Sequence, residues 1–440
     1  MIGARIARKE DYRFLVGAGC FVADLSLPRE LHCVIVRSPH AHARIRALDA
    51  FAARAAPGVR AVFTGADMAA DGVGPMRSAW EVQQPGGPAM REPQRWALAR
   101  GVVRHAGEPV AAVIAESPAL AEDAAERVAV DYEPLALLSG ESCFRWNRGD
   151  PAAVDAAFAA APRKVAIDLV NQRLCGSAIE ARGAVCDGDT LYCATQTPHY
   201  IRRVVAQELG LDEAKLRVVS PDVGGGFGYK GKHYPEETIV VWAARRLRLP
   251  VKWIAGRSES FLSDTQGRGH RTSAELALGE DGRFLALRVR TLADLGAYVS
   301  TYGAAIPGPI YSALLAGVYR TPAIYAEVTG VFSNTVPTDA YRGAGRPEAC
   351  YLLERLADRA ARELGLDRAE IRRRNLIPRQ AMPYRTPVGP TYDCGDFPKV
   401  FERALEIADY AGFAERRESA RARGRLRGIG IACFVESSGV

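Results

Sequence analysis

Between Asp222 and Lys230 the chain reads DVGGGFGYK, and Gly224, Gly225, Gly226 and Gly228 make this its densest run of glycine beside polar residues. Glycine admits backbone angles that side chains forbid, so such a loop can bring its backbone close to a ligand. Successive N–H groups presented this way suit a phosphate or an oxyanion. The run lacks the Gly-Lys-Ser/Thr ending of a phosphate-binding loop and matches no spaced dinucleotide fingerprint, so a plain tight turn competes with ligand binding. A second glycine-punctuated stretch, DAYRGAGRPE, covers Asp339–Glu348. If both converge, one site would favour an extended, anionic ligand.

Each loop needs an element on either side to hold it. Leu216, Val218 and Val219 read as a buried strand entering the first loop. Pro235 then starts a helix whose apolar face is Ile239, Val240, Ala243 and Leu247. After the second loop, Pro347 heads a helix with Ala349, Leu352, Leu353, Leu356, Ala360 and Leu364 on one face, ended by Gly365. Asp367 and Glu370 cap a short helix through Arg374.

The remaining pattern is mixed α/β (α+β). Strands are predicted at Leu31–Val36, Val59–Phe63, Pro109–Ala115 and Val128–Tyr132, with a helix after Ser117. These define a self-contained first domain over 1–137, with Asp71–Pro93 as a long surface loop. Residues 138–160 read as a linker, closed by a Gly-Asp-Pro stop. Strands return at Val165–Val170, Thr190–Ala194 and Pro250–Ile254, with a helix over Ile201–Leu209 and a hairpin of Ala274–Leu278 and Phe284–Thr291, so a second domain covers 161–400. Over 401–440 a third begins: Gly428–Val435 reads as a strand, and the chain stops in what should be a turn at 436–440. A fragment, or one half of a split protein, is expected.

Composition narrows the classes. The 440 residues suit two or three domains, and 48% hydrophobic with 25% charged residues is ordinary for a globular protein. The net charge of +7 does not point to nucleic acid: only seven of the 58 basic residues are lysine, and arginine is spread along the whole chain. The arginine run 416–427 reads as a solvated helix face or linker. Nine scattered cysteines include no C-x-x-C and no iron–sulfur spacing, which predicts reduced thiols in a cytoplasmic protein. No stretch has signal-peptide character or membrane-spanning length. The seven histidines form no ligand pattern.

Several stretches together resemble a family. RFLVGAG (13–19), LHCVIVRSPHAHARI (31–45), TGADM (64–68), GEPVAAVIAE (107–116), TQTPH (195–199), DVGGGFG (222–228), AYRGAGRPEA (340–349) and RRRNLIP (372–378) are similar, in order, to the large molybdopterin-binding subunit of the xanthine oxidase family. That family includes aldehyde oxidases, N-heteroaromatic hydroxylases and carbon monoxide dehydrogenases. The resemblance implies an N-terminal hammerhead domain, then an elongated molybdopterin-binding domain, then the start of a second one. It implies molybdenum held by the pterin dithiolene and not by protein ligands, with a cytosine dinucleotide form of the cofactor. It also implies iron–sulfur clusters and FAD on small and medium partner subunits, making a heterotrimer.

By the same resemblance, Gln196 would hydrogen-bond an oxygen on the metal, and the backbone at Phe227, flanked by Gly224, Gly225, Gly226 and Gly228, would touch an oxo group. Arg342 would stabilise charge on the substrate. Gly343, Ala344 and Gly345 would form the loop under the metal, with Arg346 available for polar or phosphate contacts. Plainer readings compete: Gln196 satisfying a strand end, Phe227 as core, Arg342 as a surface ion-pair partner, His199, Glu180 and Glu436 as framework. The family's general-base glutamate lies in the further domain, and no residue here matches it. Gly343 stands where carbon monoxide dehydrogenases carry a copper-binding cysteine, and Gly231 where xanthine-type members carry a glutamate. An aldehyde or N-heteroaromatic substrate is therefore expected over carbon monoxide or a purine. The alternative to an enzyme is a non-catalytic half that needs a second chain to supply the missing domain.

Overall fold

A computed structural model describes residues 3–138 and 140–436. Two mixed sheets organise them. The larger has seven strands in the order Arg217–Val219, Thr190–Cys193, Gly183–Asp187, Val251–Ile254, Leu31–Arg37, Pro109–Ala115 and Val59–Thr64. The second has five, in the order Ser142–Gly149, Ala323–Val331, Phe284–Asp294, His270–Leu278 and Arg163–Asn171. Pro109–Ala115 is buried at every position, which explains its unbroken apolar run. Leu31–Arg37 buries Leu31, Cys33 and Ile35 on one face, at the period of two that a half-covered strand requires.

Each sheet carries a helix that leads away from a glycine loop. Pro235–Leu247 packs Ile239, Val240 and Ala243 into a core shared with Cys33, Cys186, Leu191 and Val251 of the seven-stranded sheet. Arg346–Leu364 sets Ala349, Leu352, Leu356 and Ala360 against Val165, Leu276 and Val289 of the five-stranded one, and left-handed Gly365 ends it. Asp367 caps Arg368–Asn375 by accepting from the N–H groups of Ala369 and Glu370.

Four expectations need correction. The first domain is not self-contained: Leu31 and His32 pair in parallel with Val251 and Lys252, so the edge that Leu31–Arg37 would otherwise expose is covered from the second region. Residues 138–160 are not a linker. Ser142–Gly149 is an edge strand paired with Ala323–Val331, and Asp150 caps the helix Pro151–Ala160, so Asp-Pro is a helix start and not a stop. The stretch 71–93 is largely irregular, yet Val82 and Met90 are buried in the core of the five-stranded sheet, so it is more than a surface loop. Gly428–Val435 forms no strand among the described residues: side chains replace a ladder, Arg368 donating to the Ile429 carbonyl and Arg372 to that of Ile431. The turn expected at 436–440 lies, apart from Glu436, outside the described residues.

Candidate cofactor and active site

The two sheets deliver one glycine loop each. Arg217–Val219, at the edge of the seven-stranded sheet, runs into the first loop and on to the helix at Pro235. Ala323–Val331, in the five-stranded sheet, is followed by the second loop and the helix at Arg346. The loops meet where the Arg342 N–H donates to the Phe227 carbonyl at 2.9 Å. Residues 115 positions apart in the chain are thereby joined by a single backbone bond.

Side chains that accept hydrogen bonds hold the first loop. Gln196 follows the strand Thr190–Cys193. Its own N–H donates to the Lys230 carbonyl at 2.9 Å, and its Oε1 accepts from the Gly228 N–H at 2.9 Å. A Cβ on Gly226 would lie 2.5 Å from that Oε1, so only glycine lets the loop pass under Gln196. Glu180 Oε2 accepts from the Gly224 N–H at 2.8 Å and from Lys230 Nζ at 2.7 Å, and the same Nζ donates to the Glu180 carbonyl at 2.9 Å. Burial lowers the Lys230 pKa, and Glu180 works against that shift. At the loop's entrance, hydrogen bonds from Arg13 and from the Cys20 N–H hold Asp222 down at about 2.

This arrangement uses the outer N–H groups of the loop and leaves the inner ones. The N–H groups of Gly225, Gly226 and Phe227 have no hydrogen-bond partner among the described residues. Phe227 itself has φ 50° and is 46% exposed, which removes its reading as ordinary core. A non-glycine residue in the left-handed region carries strain that its surroundings must hold in place. Ala344 (φ 39°) and Arg268 (φ 67°) share that conformation nearby, so the strain gathers where the loops meet.

In the second loop Ala344 donates to the Tyr341 carbonyl at 2.9 Å and Arg346 to that of Gly343 at 3.2 Å, while the N–H groups of Gly343 and Gly345 have no partner among the described residues. The Arg346 side chain turns back on the Gly343 and Ala344 carbonyls and faces Glu436 at 3.0 Å. It is thus engaged within the protein, contrary to its expected availability. The Arg342 side chain is exposed and makes no hydrogen bond or ion pair among the described residues, so the ion-pair reading of it does not hold. His199 lies exposed in the first turn of Pro198–Glu208.

The helix N-termini differ. That of Arg346–Leu364 follows the second loop and leaves the Gly345 N–H without a partner among the described residues, with Gly345 buried and Glu348 in the first turn. That of Pro235–Leu247 is closed: Glu236 is buried between Arg37 and Arg182, and Glu237 accepts from the Tyr234 N–H at 2.6 Å. Burial would raise the Glu236 pKa, but the two guanidinium groups outweigh it and hold the carboxylate low. An anion therefore has one helix N-terminus to use here, not the two expected from sequence. Just before this helix His233 is buried; burial opposes its charge, but Glu208 and Glu237 prevail and raise its pKa to about 10. Sequence reading missed Lys230, Lys232 and Arg268, whose guanidinium donates to the Tyr341 and Arg342 carbonyls, and it gave Glu180 as plain framework.

The donor set suits a ligand rich in oxygen atoms. Five unpartnered backbone N–H groups from two loops can meet oxygen atoms, whereas no group of three or more His, Cys, Asp or Glu among the described residues is placed to hold an ion. No helix among them is long and apolar enough to cross a membrane.

Comparison with known proteins agrees. Residues 16–136 match the aldehyde oxidase and xanthine dehydrogenase a/b hammerhead domain, and residues 137–376 match the molybdopterin cofactor-binding domain. The nicotine 6-hydroxylase large subunit of Paenarthrobacter nicotinovorans is 34% identical, over 100% of this chain and 56% of its own. The carbon monoxide dehydrogenase large chain of Hydrogenophaga pseudoflava is 35% identical, over 99% of this chain and 58% of its own. The structure of quinoline 2-oxidoreductase from Pseudomonas putida 86 superposes with a TM-score of 0.89 at 36% identity, over 96% of this chain and 56% of that one. The chain spans a little over half the length of these relatives. It belongs to the aldehyde oxidase and xanthine dehydrogenase family, of which it carries the hammerhead and a molybdopterin cofactor-binding domain.

Proposed function

We propose that this chain is the front part of the large subunit of a molybdenum hydroxylase that oxidises an N-heteroaromatic or aldehyde substrate with oxygen from water. The observation that carries the reading is the junction of the two loops, which gathers unpartnered backbone donors beside an unpaired arginine. When bound, molybdopterin supplies two-electron redox chemistry at a metal held by its own dithiolene.

The protein's part is to place donors. Because Gln196 Oε1 is occupied by the Gly228 N–H, the amide nitrogen is the end left to donate, as contact with an oxygen of the cofactor requires. The N–H groups of Gly225, Gly226, Phe227, Gly343 and Gly345 would bind the cofactor's oxygens. Gly224, Gly228 and Ala344 shape the loops, and Arg346 braces the second one. Arg342 offers an uncommitted guanidinium to charge that develops on the substrate. The unpartnered N–H of Gly345, at the N-terminus of Arg346–Leu364, suits the pyrophosphate of a cytosine dinucleotide form.

The substrate class rests on two points. Two of the similar proteins are named for nicotine and quinoline, and Gly343 offers no thiolate where a copper-binding cysteine is expected for carbon monoxide. The nomenclature of those relatives as large subunits or chains supports a heterotrimer with an iron–sulfur small subunit and an FAD-bearing medium subunit. We read 1–137 as the hammerhead domain, the residues to about 400 as the first molybdopterin-binding domain and 401–440 as the opening of a second. The general base then comes from the portion of the relatives that this chain does not span. Nine cysteines without a disulfide suit a cytoplasmic location.

The test is to purify the protein with its companions, measure molybdenum and pterin, and compare turnover of N-heteroaromatics and aldehydes with Arg342→Gln. The expected result is full cofactor content in both and turnover lost in the variant. A metal-free wild-type complex, or a variant with undiminished turnover, overturns the reading.

A further inference from the structure

The second loop rests on two buried cations that no glycine pattern announces. Lys232 has a fully buried side chain. Its Nζ donates to the Ala340 carbonyl at 3.1 Å and lies 3.4 Å from Asp339, which is equally buried. Arg268 comes from the segment leading into the strand His270–Leu278. Its Nη1 donates to the Tyr341 carbonyl at 2.9 Å and its Nη2 to the Arg342 carbonyl at 2.8 Å, with Glu348 at 3.4 Å from Nη1. Three consecutive carbonyls, 340 to 342, therefore all accept from buried charge. The Arg268 guanidinium also lies 5.1 Å from the centre of the Tyr341 ring. Directly before it, a Cβ on Gly267 would come 2.4 Å from Tyr341 Cβ, so floor and loop are in contact with no slack.

Charge-assisted hydrogen bonds to a carbonyl are roughly twice as strong as neutral ones, and the forked guanidinium fixes two peptide planes at once. Fixing the planes on both sides of the Arg342 Cα fixes the direction in which its side chain leaves the backbone. The same planes orient the Arg342 N–H toward the Phe227 carbonyl. Neither cation is exposed to touch substrate, so any effect on turnover must pass through the loop.

We propose that Arg268, assisted by Lys232, is a positioning residue: it grips the second glycine loop by its carbonyls and thereby aims Arg342 and the loop's N–H groups at the site. The proposal rests on the reading of Arg342 given above, and its test separates the two. In the cofactor-loaded protein, backbone hydrogen exchange over 338–346 is compared for wild type, Arg268→Gln, Arg268→Lys and Gly267→Ala, alongside kcat, KM and pterin content.

Arg268→Gln is expected to speed exchange at Arg342 and Ala344 by about tenfold or more while the core of the helix 346–364 keeps its protection, and to lower kcat more than it changes KM. Arg268→Lys, able to reach one carbonyl, is expected to restore part of both. Gly267→Ala is expected to loosen the same amides without removing a charge, and it serves in place of Arg268→Gln should that variant fail to fold. Unchanged exchange at 341–344, or acceleration spread evenly over the chain, overturns the proposal. Faster local exchange with undiminished turnover keeps the grip and overturns the role given to Arg342.

Discussion

The side chains that hold the two glycine loops act with opposite polarity, while backbone bonds such as that from the Glu180 N–H to the Gly224 carbonyl add to the first. The first is gripped by its donors: Glu180 and Gln196 accept from the Gly224 and Gly228 N–H groups. The second is gripped by its acceptors: Lys232 and Arg268 donate to the carbonyls of 340–342. Both grips end in the same state, a short run of N–H groups with no partner inside the protein. In the first loop the ends are tied and the middle is left; in the second the carbonyls of 340–342 are tied and the N–H groups of Gly343 and Gly345, on either side of a bonded Ala344, are left. A ligand site needs open donors, and buried backbone tolerates few of them, so each loop must be fastened by whichever groups it does not offer.

Experiments can break or sharpen this contrast. The largest stability effect is expected from Glu180→Ala, which leaves the Lys230 ammonium buried with no carboxylate; truncating one partner of such a pair costs about 3 kcal/mol or more, read by denaturant unfolding. Glu180→Gln retains an acceptor for Gly224 and should lose distinctly less. If both lose equally, the first loop is held by charge alone and the contrast collapses.

Next comes the exit of the first loop, where His233 is charged between Glu208 and Glu237. Its folded pKa of about 10 lies above the ordinary 6.5, so its contribution is fully present below about pH 6.5 and is lost as pH rises through 10. Wild type should therefore melt progressively lower across that range, and His233→Gln should be flatter. Parallel curves would remove the charge from the account.

Gln196→Ala removes one acceptor and should cost about 1 kcal/mol, with faster exchange at Gly228 as the local signature. A variant with native exchange there would show that the loop keeps its shape by glycine geometry alone. The smallest stability effect belongs to Arg342→Gln. The exposed side chain touches no partner among the described residues, so the change should stay within about 0.5 kcal/mol by thermal unfolding, whatever it does to turnover. A larger loss would mean that the second loop is held from its outer side as well.

What could be read from the sequence follows the range of each signal. The unbroken apolar run Pro109–Ala115 and the periodic face of Arg346–Leu364 were legible because each is a local pattern. Ser142–Gly149 was not, because an edge strand with Arg145, Asn147 and Arg148 looks polar until its neighbour is known. The glycine loops declared themselves by composition. Their fasteners did not, since Glu180 meets Gly224 and Arg268 meets Tyr341 across 44 and 73 positions. One clue was available: two of only seven lysines stand at 230 and 232 in a chain that otherwise uses arginine. The lysine ammonium is a compact point charge with rotatable donors, which suits a site with room for one small head, whereas the planar arginine fork suits the paired carbonyls that Arg268 meets.

The pairing of Leu31 with Val251 has a consequence for synthesis. The strand Leu31–Arg37 leaves the ribosome long before its parallel neighbour exists. At roughly 5–20 residues per second, about 10–40 seconds pass before Val251–Ile254 is made. During that interval an apolar strand keeps one side unpaired, next to Pro109–Ala115 on the other. The sheet beneath the first glycine loop is therefore closed late, and a nascent chain stalled before residue 251 should be the form most dependent on chaperones.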